Sequence, residues 1–464
     1  MTAYRMLPRS RGFTLIELMV AMVLGLLVAA GIITVFASTS SSNKAQNQLA
    51  QLQEAGRFAV TRITDDLRMA NGQYCSNTGG VPTTGSGGVL LDRVRAPKVY
   101  AKKLIGAVGA ASGALGDVST AWGAGGYPAA PTEPYPMPSF LFMRGYECTL
   151  TTCTPVDPST PITTIPKMGV ALGNRVKGAD VLTVRYVDPS AGWAVVPTGV
   201  AGSKLATTSS AATITSITLD PQPGEPPLTN AANGDLFMLA DCSSAQIFPA
   251  TFTSPTITPL GNTTDGFGTG TANLPAAQQP ESLPRVFDVN RDFLTVTYYL
   301  KLVSVNNDGK APFTGALVRR VNGGLKSDGV TPVRAGASED ELVRGVERLD
   351  FKYGVQDATG KTSFLTAKEV DASTSCPPSE KDAITTAGCL WRGIKSIEVS
   401  LLMDGQTPLY TLTGSQLDYR YSADTKPDML PPSGHGIKPG DQGFPDELLR
   451  REFNVLVPVR NYNP

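Results

Sequence analysis

Few residues in this 464-residue chain are of the kinds and spacings that do chemistry. Residues 354–362 end like a phosphate-binding loop, but five residues separate Gly354 from Gly360 where the motif needs four. No apolar helix follows Thr362 to present backbone amides to a phosphate, so a hairpin turn through residues 357–360 is the better reading. Asp288-x-Asn290-x-Asp292 opens like a calcium loop, yet its sixth position is Phe293 instead of Gly and its twelfth is Tyr299 instead of Glu. The one histidine, His435, lies in a glycine-bounded tract with no acid nearby to orient it, and a lone histidine excludes sites that need two or three. Six cysteines show no C-x2-C spacing for zinc. Neither a metal, a cofactor nor a catalytic centre is expected. That leaves Glu17, a single carboxylate inside an apolar run, where an unpaired charge is costly.

The element that carries Glu17 is legible. Residues 1–12 hold Arg5, Arg9 and Arg11 and no acid, and residues 18–36 then run without a charge. As a helix, residues 13–36 span roughly 36 Å, enough to cross a hydrocarbon core of ~30 Å. The arginines keep the amino terminus cytoplasmic and place everything beyond Phe36 outside. A cleavable secretory signal has a shorter apolar stretch, and a plain signal anchor leaves Glu17 without a reason. Arg11-Gly12-Phe13-Thr14-Leu15-Ile16-Glu17-Leu18 resembles the type IV prepilin signal. The resemblance implies that a prepilin peptidase cuts between Gly12 and Phe13, that the new amino group on Phe13 is methylated, and that the apolar segment stays attached. Glycine before the cut lets a protease approach the backbone closely. Glu17 would then lie one helical turn from a positive amine, of its own or a neighbouring subunit, and this suits a role in subunit assembly.

Past Phe36 the residues turn polar, and then Ala45, Leu49, Leu52, Gly56, Ala59, Ile63, Leu67 and Ala70 recur three or four apart. That period predicts a one-faced helix over residues 37–71, ending at Asn71-Gly72, with Glu54–Arg57 and Arg62–Asp66 as solvated pairs on other faces. Residues 52–59 (Leu-Gln-Glu-Ala-Gly-Arg-Phe-Ala), 65–70 (Asp-Asp-Leu-Arg-Met-Ala) and Cys75 are similar to the PilW family of minor pilins. Residues 181–187, 241–248, 342–347, 450–455 and 459–461 continue the resemblance in order along the chain, whereas 79–139, 197–230 and 406–447 match nothing in it. The fold implied is α+β and type IV pilin-like: a long amino-terminal helix packed on a large β-rich head with long loops.

The head, residues 72–464, reads as strands at 181–187, 212–219, 235–240, 293–305, 316–321, 349–355, 394–403 and 453–459, with 339–345 a short helical turn. Pro284 is where a division into two lobes would fall. Gly (47) and Pro (36) fill the long loops between them. An exterior location makes the cysteines disulfide candidates, with nearest neighbours Cys148–Cys153 and Cys376–Cys389 and the remainder Cys75–Cys242; six cysteines permit 15 pairings.

Forty basic residues balance forty acidic ones, and loss of residues 1–12 would leave the chain near −3, so no specific nucleic-acid partner is expected. The resemblance implies a minor pilin of the type IV pilus that primes assembly with other minor pilins and the major pilin and sits at the tip. It would wait in the inner membrane with its head in the periplasm and later form part of the extracellular pilus. Two alternatives share the same helix: a tip adhesin or DNA-uptake module with a surface receptor, and a minor pseudopilin of type II secretion.

Overall fold

The computed structural model describes residues 13–72, 74, 83–85, 88–90, 96–102, 104, 115–120, 131–159, 165–210, 212–231, 234–241, 244–278, 283–325, 330, 336–356, 361–373, 388–408, 439–445 and 447–459. Its first element is one unbroken helix, α1, Leu15–Met69, 55 residues and about 80 Å long. Thr14 caps it, and the chain leaves it through Asn71 at φ 62°, a conformation that asparagine tolerates better than most residues. Residues 13–39 are exposed, and burial sets in along the predicted face: Ala45 and Leu49 are half-buried, while Leu52, Gly56, Ala59, Ile63 and Leu67 are buried. Gly56 is needed there because a Cβ would collide with the Phe453 ring.

That face rests on strands Val181–Val187, Ser338–Arg344, Ile394–Asp404 and Arg450–Pro458. They belong to two antiparallel sheets. One has six strands, in the order Ser338–Arg344, Phe313–Val321, Phe293–Ser304, Val181–Val187, Met143–Cys148 and Cys153–Thr154. The other has four: Thr362–Leu365, Val346–Gln356, Ile394–Asp404 and Arg450–Pro458. Residues 339–344 are therefore strand, not a helical turn, and the strand ends before Gly345. The side-chain contacts fit this: Glu339 reaches Arg320 on the adjacent strand and Lys301 on the strand beyond it. The phosphate-loop look-alike flanks a hairpin, with Gln356 opposite Thr362 and residues 357–360 outside the described ones.

Val187 lies opposite Phe293 on adjacent antiparallel strands, so residues 188–292 form an excursion that leaves and returns at one place. The excursion builds most of a third sheet from Trp193–Ala194, Lys204–Thr207, Ile214–Thr218, Leu236–Ala240, Ala245–Thr253, Thr256–Pro259 and Arg285–Asp288. Lys98–Val99 and Tyr135–Pro136 add to it from outside the excursion. Its last strand lies beyond Pro284, and the crossing back to the six-stranded sheet falls at the single helical turn Val289–Asp292. The period of two divides this sheet between two cores. Leu236, Met238 and Ala240 join the main core beneath α1, while Phe237 and Leu239 face a second core around Trp193, Phe248 and Ile257. Both of its faces are therefore buried.

Candidate assembly site

At the start of α1, Glu17 and Thr14 form a capping box. The Glu17 carboxylate accepts from the Thr14 backbone N–H at 3.0 Å and from its hydroxyl at 2.9 Å, and the Glu17 N–H donates to Thr14 Oγ1 at 3.3 Å. Glu17 thus satisfies donors that a helix start otherwise leaves open. Phe13 is 88% exposed and the apolar residues through Phe36 are bare, so the whole first half of the helix offers side chains that nothing among the described residues covers. Gly31 opens a notch between Val28, Ile32, Val35 and Phe36, where a neighbouring helix could pack closely. Gly12 lies outside the described residues.

The other half of α1 is seated by Asp66, which the helical period alone assigns to solvent beside Arg62. Instead it is buried. Arg319 grips it with two bonds, 2.6 and 3.0 Å, and the hydroxyls of Tyr298 and Tyr186 donate to it at 2.5 and 2.9 Å. Burial works to raise the Asp66 pKa, but the Arg319 bonds and charge, with the two tyrosine donors, hold it below the usual carboxylate value. Nearer the membrane segment, Gln48 Nε2 donates to the Thr407 carbonyl at 3.0 Å.

Two further polar clusters lock the head. Asp117, on residues 115–120, accepts from Arg320 Nε at 3.1 Å and from the Thr297 hydroxyl at 2.8 Å, while Arg185 donates to the carbonyls of Gly116 and Asp117. This short segment satisfies the polar face of the six-stranded sheet, a function that no signal in residues 79–139 betrayed. Glu347 and Arg450 form a bidentate pair at 2.8 and 2.9 Å beside Asp404. Burial and the Asp404 charge push Glu347 up to about 8 despite the guanidinium. The stretches singled out in the sequence thus meet in space, Asp66 with Tyr186 and Glu347 with Arg450.

Cys148 and Cys153 are joined, Sγ–Sγ 2.09 Å. Cys389 is also disulfide-bonded, whereas Cys75, Cys242 and Cys376 lie outside the described residues, as does His435. Among the described residues, no group of three or more His, Cys, Asp or Glu side chains is placed to hold a metal ion. Asp288 and Asp292 accept backbone hydrogen bonds within the turn and Asp292 pairs with Arg291, while the Asn290 side chain donates to Asp235 Oδ1 at 2.9 Å.

Residues 7–33 match the prokaryotic N-terminal methylation motif, and residues 297–461 match the model of type IV pilus-assembly protein W. Over residues 297–461 the chain is similar to the PilW family. Its amino terminus is that of a prepilin, which implies processing by prepilin peptidase and an inner-membrane stage before the pilus. A PilW-family chain is a structural pilin, not an enzyme. The family match takes in the four-stranded sheet and, of the six-stranded one, Phe313–Val321, Ser338–Arg344 and most of Phe293–Ser304, and it leaves out residues 188–292. No curated protein and no solved structure matches the chain.

Proposed function

We propose that this PilW-like pilin primes assembly of the type IV pilus with other minor pilins and remains at the filament tip. One observation carries the tip reading. Residues 188–292 leave and rejoin the head beside the end of α1 farthest from the membrane segment, where the Val187 N–H donates to the Gly72 carbonyl at 2.7 Å. Bulk at that end faces the subunits ahead of it in a growing filament, and only the first subunit has none ahead. Cleavage after Gly12 and methylation of Phe13 would free an amine that competes with Thr14 for the Glu17 carboxylate, linking processing to helix packing in the membrane. The excursion carries nine acidic and three basic residues, which favours a protein or glycan surface over DNA as anything it touches.

An antibody tag in the exposed turn at residues 199–201 tests the position. Labelling confined to filament ends is expected, and labelling along the shaft would remove the tip reading. Deletion of the gene should reduce surface pili and leave type II secretion intact; the opposite outcome would make the chain a pseudopilin.

A further inference from the structure

Arg175 is 1% exposed and lies against the Cys148–Cys153 disulfide. Its Nη1 is 3.7 Å from Cys148 Sγ and 3.8 Å from Cys153 Sγ, and its Nη2 is 3.9 Å from Cys153 Sγ. The guanidinium is held there by Asp157 Oδ1 at 3.0 Å and by the Pro166 carbonyl at 2.6 Å. A neutral disulfide gains little from a buried cation. A thiolate gains a great deal, because opposite charges at this separation in a poorly solvated site attract strongly. We propose that Arg175 makes the Cys148–Cys153 bridge a thiol-exchange site, a fastening at the edge of the six-stranded sheet that a dithiol can open and a disulfide can close.

The step balances with a dithiol as reductant. Its thiolate attacks Cys148 Sγ, the sulfur–sulfur bond breaks, and the electron pair leaves on Cys153 Sγ, which faces both guanidinium nitrogens. The second thiol of the reagent then displaces Cys148 from the mixed disulfide. The reagent ends as a disulfide, Cys153 as a thiolate beside Arg175 and Cys148 as a thiol, and one proton goes to solvent. The cysteines are 6% and 8% exposed, so attack needs the turn over residues 149–152 to lift. That turn is short and its threonines are exposed. Opening it releases the two-residue edge strand Cys153–Thr154, paired at Glu147↔Thr154 and Cys148↔Cys153, and leaves the rest of the sheet intact.

The other ionisable groups around the sulfurs do not supply the same push. Asp180 accepts from the Cys148 N–H at 2.9 Å, and burial together with the Asp350 charge raises its pKa well above the ordinary value. Tyr146 and Tyr299 are buried phenols with raised pKa values, so they stay neutral. Glu147 neighbours Cys148 on its strand, and Lys301 is occupied by Glu339 at 2.8 Å.

The test uses the membrane-extracted full chain in mixtures of reduced and oxidised dithiothreitol, with peptide mapping to follow this pair apart from the other four cysteines. Arg175→Met should shift the balance at least tenfold toward the bridged form. Asp157→Asn alters a half-exposed carboxylate and keeps the cation; it should shift the balance severalfold the opposite way. In the reduced protein, alkylation by iodoacetamide should titrate at least one pH unit below an ordinary thiol at ~8.5, and Arg175→Met should restore the ordinary midpoint. If Arg175→Met fails to fold, Asp157→Asn and the alkylation midpoint still decide. An unchanged balance in Asp157→Asn, or a wild-type midpoint near ~8.5, would overturn the proposal.

Discussion

Glu17 and Asp66 are both carboxylates on α1, and the chain uses them in opposite surroundings. Glu17 closes a capping box in a helix half that no other described residue covers, so its value to the single chain is local. Glu17→Gln keeps the shape and loses the charge, and Glu17→Ala makes the segment more apolar. Both should insert and be cleaved normally, yet co-purify less with partner minor pilins and yield fewer surface pili. Unchanged pilus counts in both variants would mean that the carboxylate is tolerated, not used. Asp66 is different, because removing one member of a buried ion pair strands the other. Asp66→Ala should cost about 3–5 kcal/mol in a urea melt of the soluble head with residues 37–69 attached. The Asp66 pKa is held below its unfolded value, so its contribution is present above about pH 4 and lost as pH falls through the lowered value. The head should therefore lose stability in acid, and Asp66→Asn should remove part of that slope.

Helix α1 and strand Arg450–Pro458 meet through one matched pair of residues. The absent side chain of Gly56 is what admits the Phe453 ring, in the middle of the seated half of the helix. Gly56→Ala would normally help a helix by about 1 kcal/mol, since glycine is a poor helix former. Here it should destabilise by about 1–3 kcal/mol through overpacking. Replacing Phe453 by Leu in the same chain should recover most of that loss, measured as the shift in denaturation midpoint. A helix stabilised by Gly56→Ala alone would show that this contact is looser than the geometry indicates.

The molecule as a whole is held together by a sheet with two buried faces. Because Met238 and Ile247 belong to the main core while Phe237 and Phe248 belong to the second one, the excursion and the body should unfold in a single calorimetric transition. Met238→Ala should lower that one transition by the equivalent of about 2–5 kcal/mol and should not split it in two. Where the excursion rejoins the body, Asp288 is buried, and burial with the charges of Asp235 and Asp292 pushes it up to about 8; Arg291 opposes this incompletely. A folded pKa above the unfolded one makes stability greatest below about pH 4, and it falls as pH rises toward 8. Asp288→Asn should therefore raise the melting temperature at pH 8 and change it little at pH 4, the reverse of the acid sensitivity at Asp66.

Sequence by itself determined whatever depends on local order. The charge-free run with one carboxylate and the three-and-four spacing from Ala45 to Ala70 each state an element and the face it presents, and the apolar runs at 181–187 and 394–403 each state a strand. A helical period or a strand period repeats within a few residues, so no distant partner is needed to read it. The family likeness, too, rested on such short stretches, and the prepilin junction is a local string. Tertiary structure alone decided what depends on partners far along the chain. Asp66 reads as a surface residue until Arg319, Tyr298 and Tyr186 are brought to it from more than a hundred residues away. Asp117 has no local signal, because its reason lies on Arg320 and Thr297 in strands of another region. Likewise, apolar residues at 236–240 announce a strand but not that its two faces serve two cores. Hydrophobic burial is written in periodicity; charge compensation is written only in the contacts that the completed fold creates.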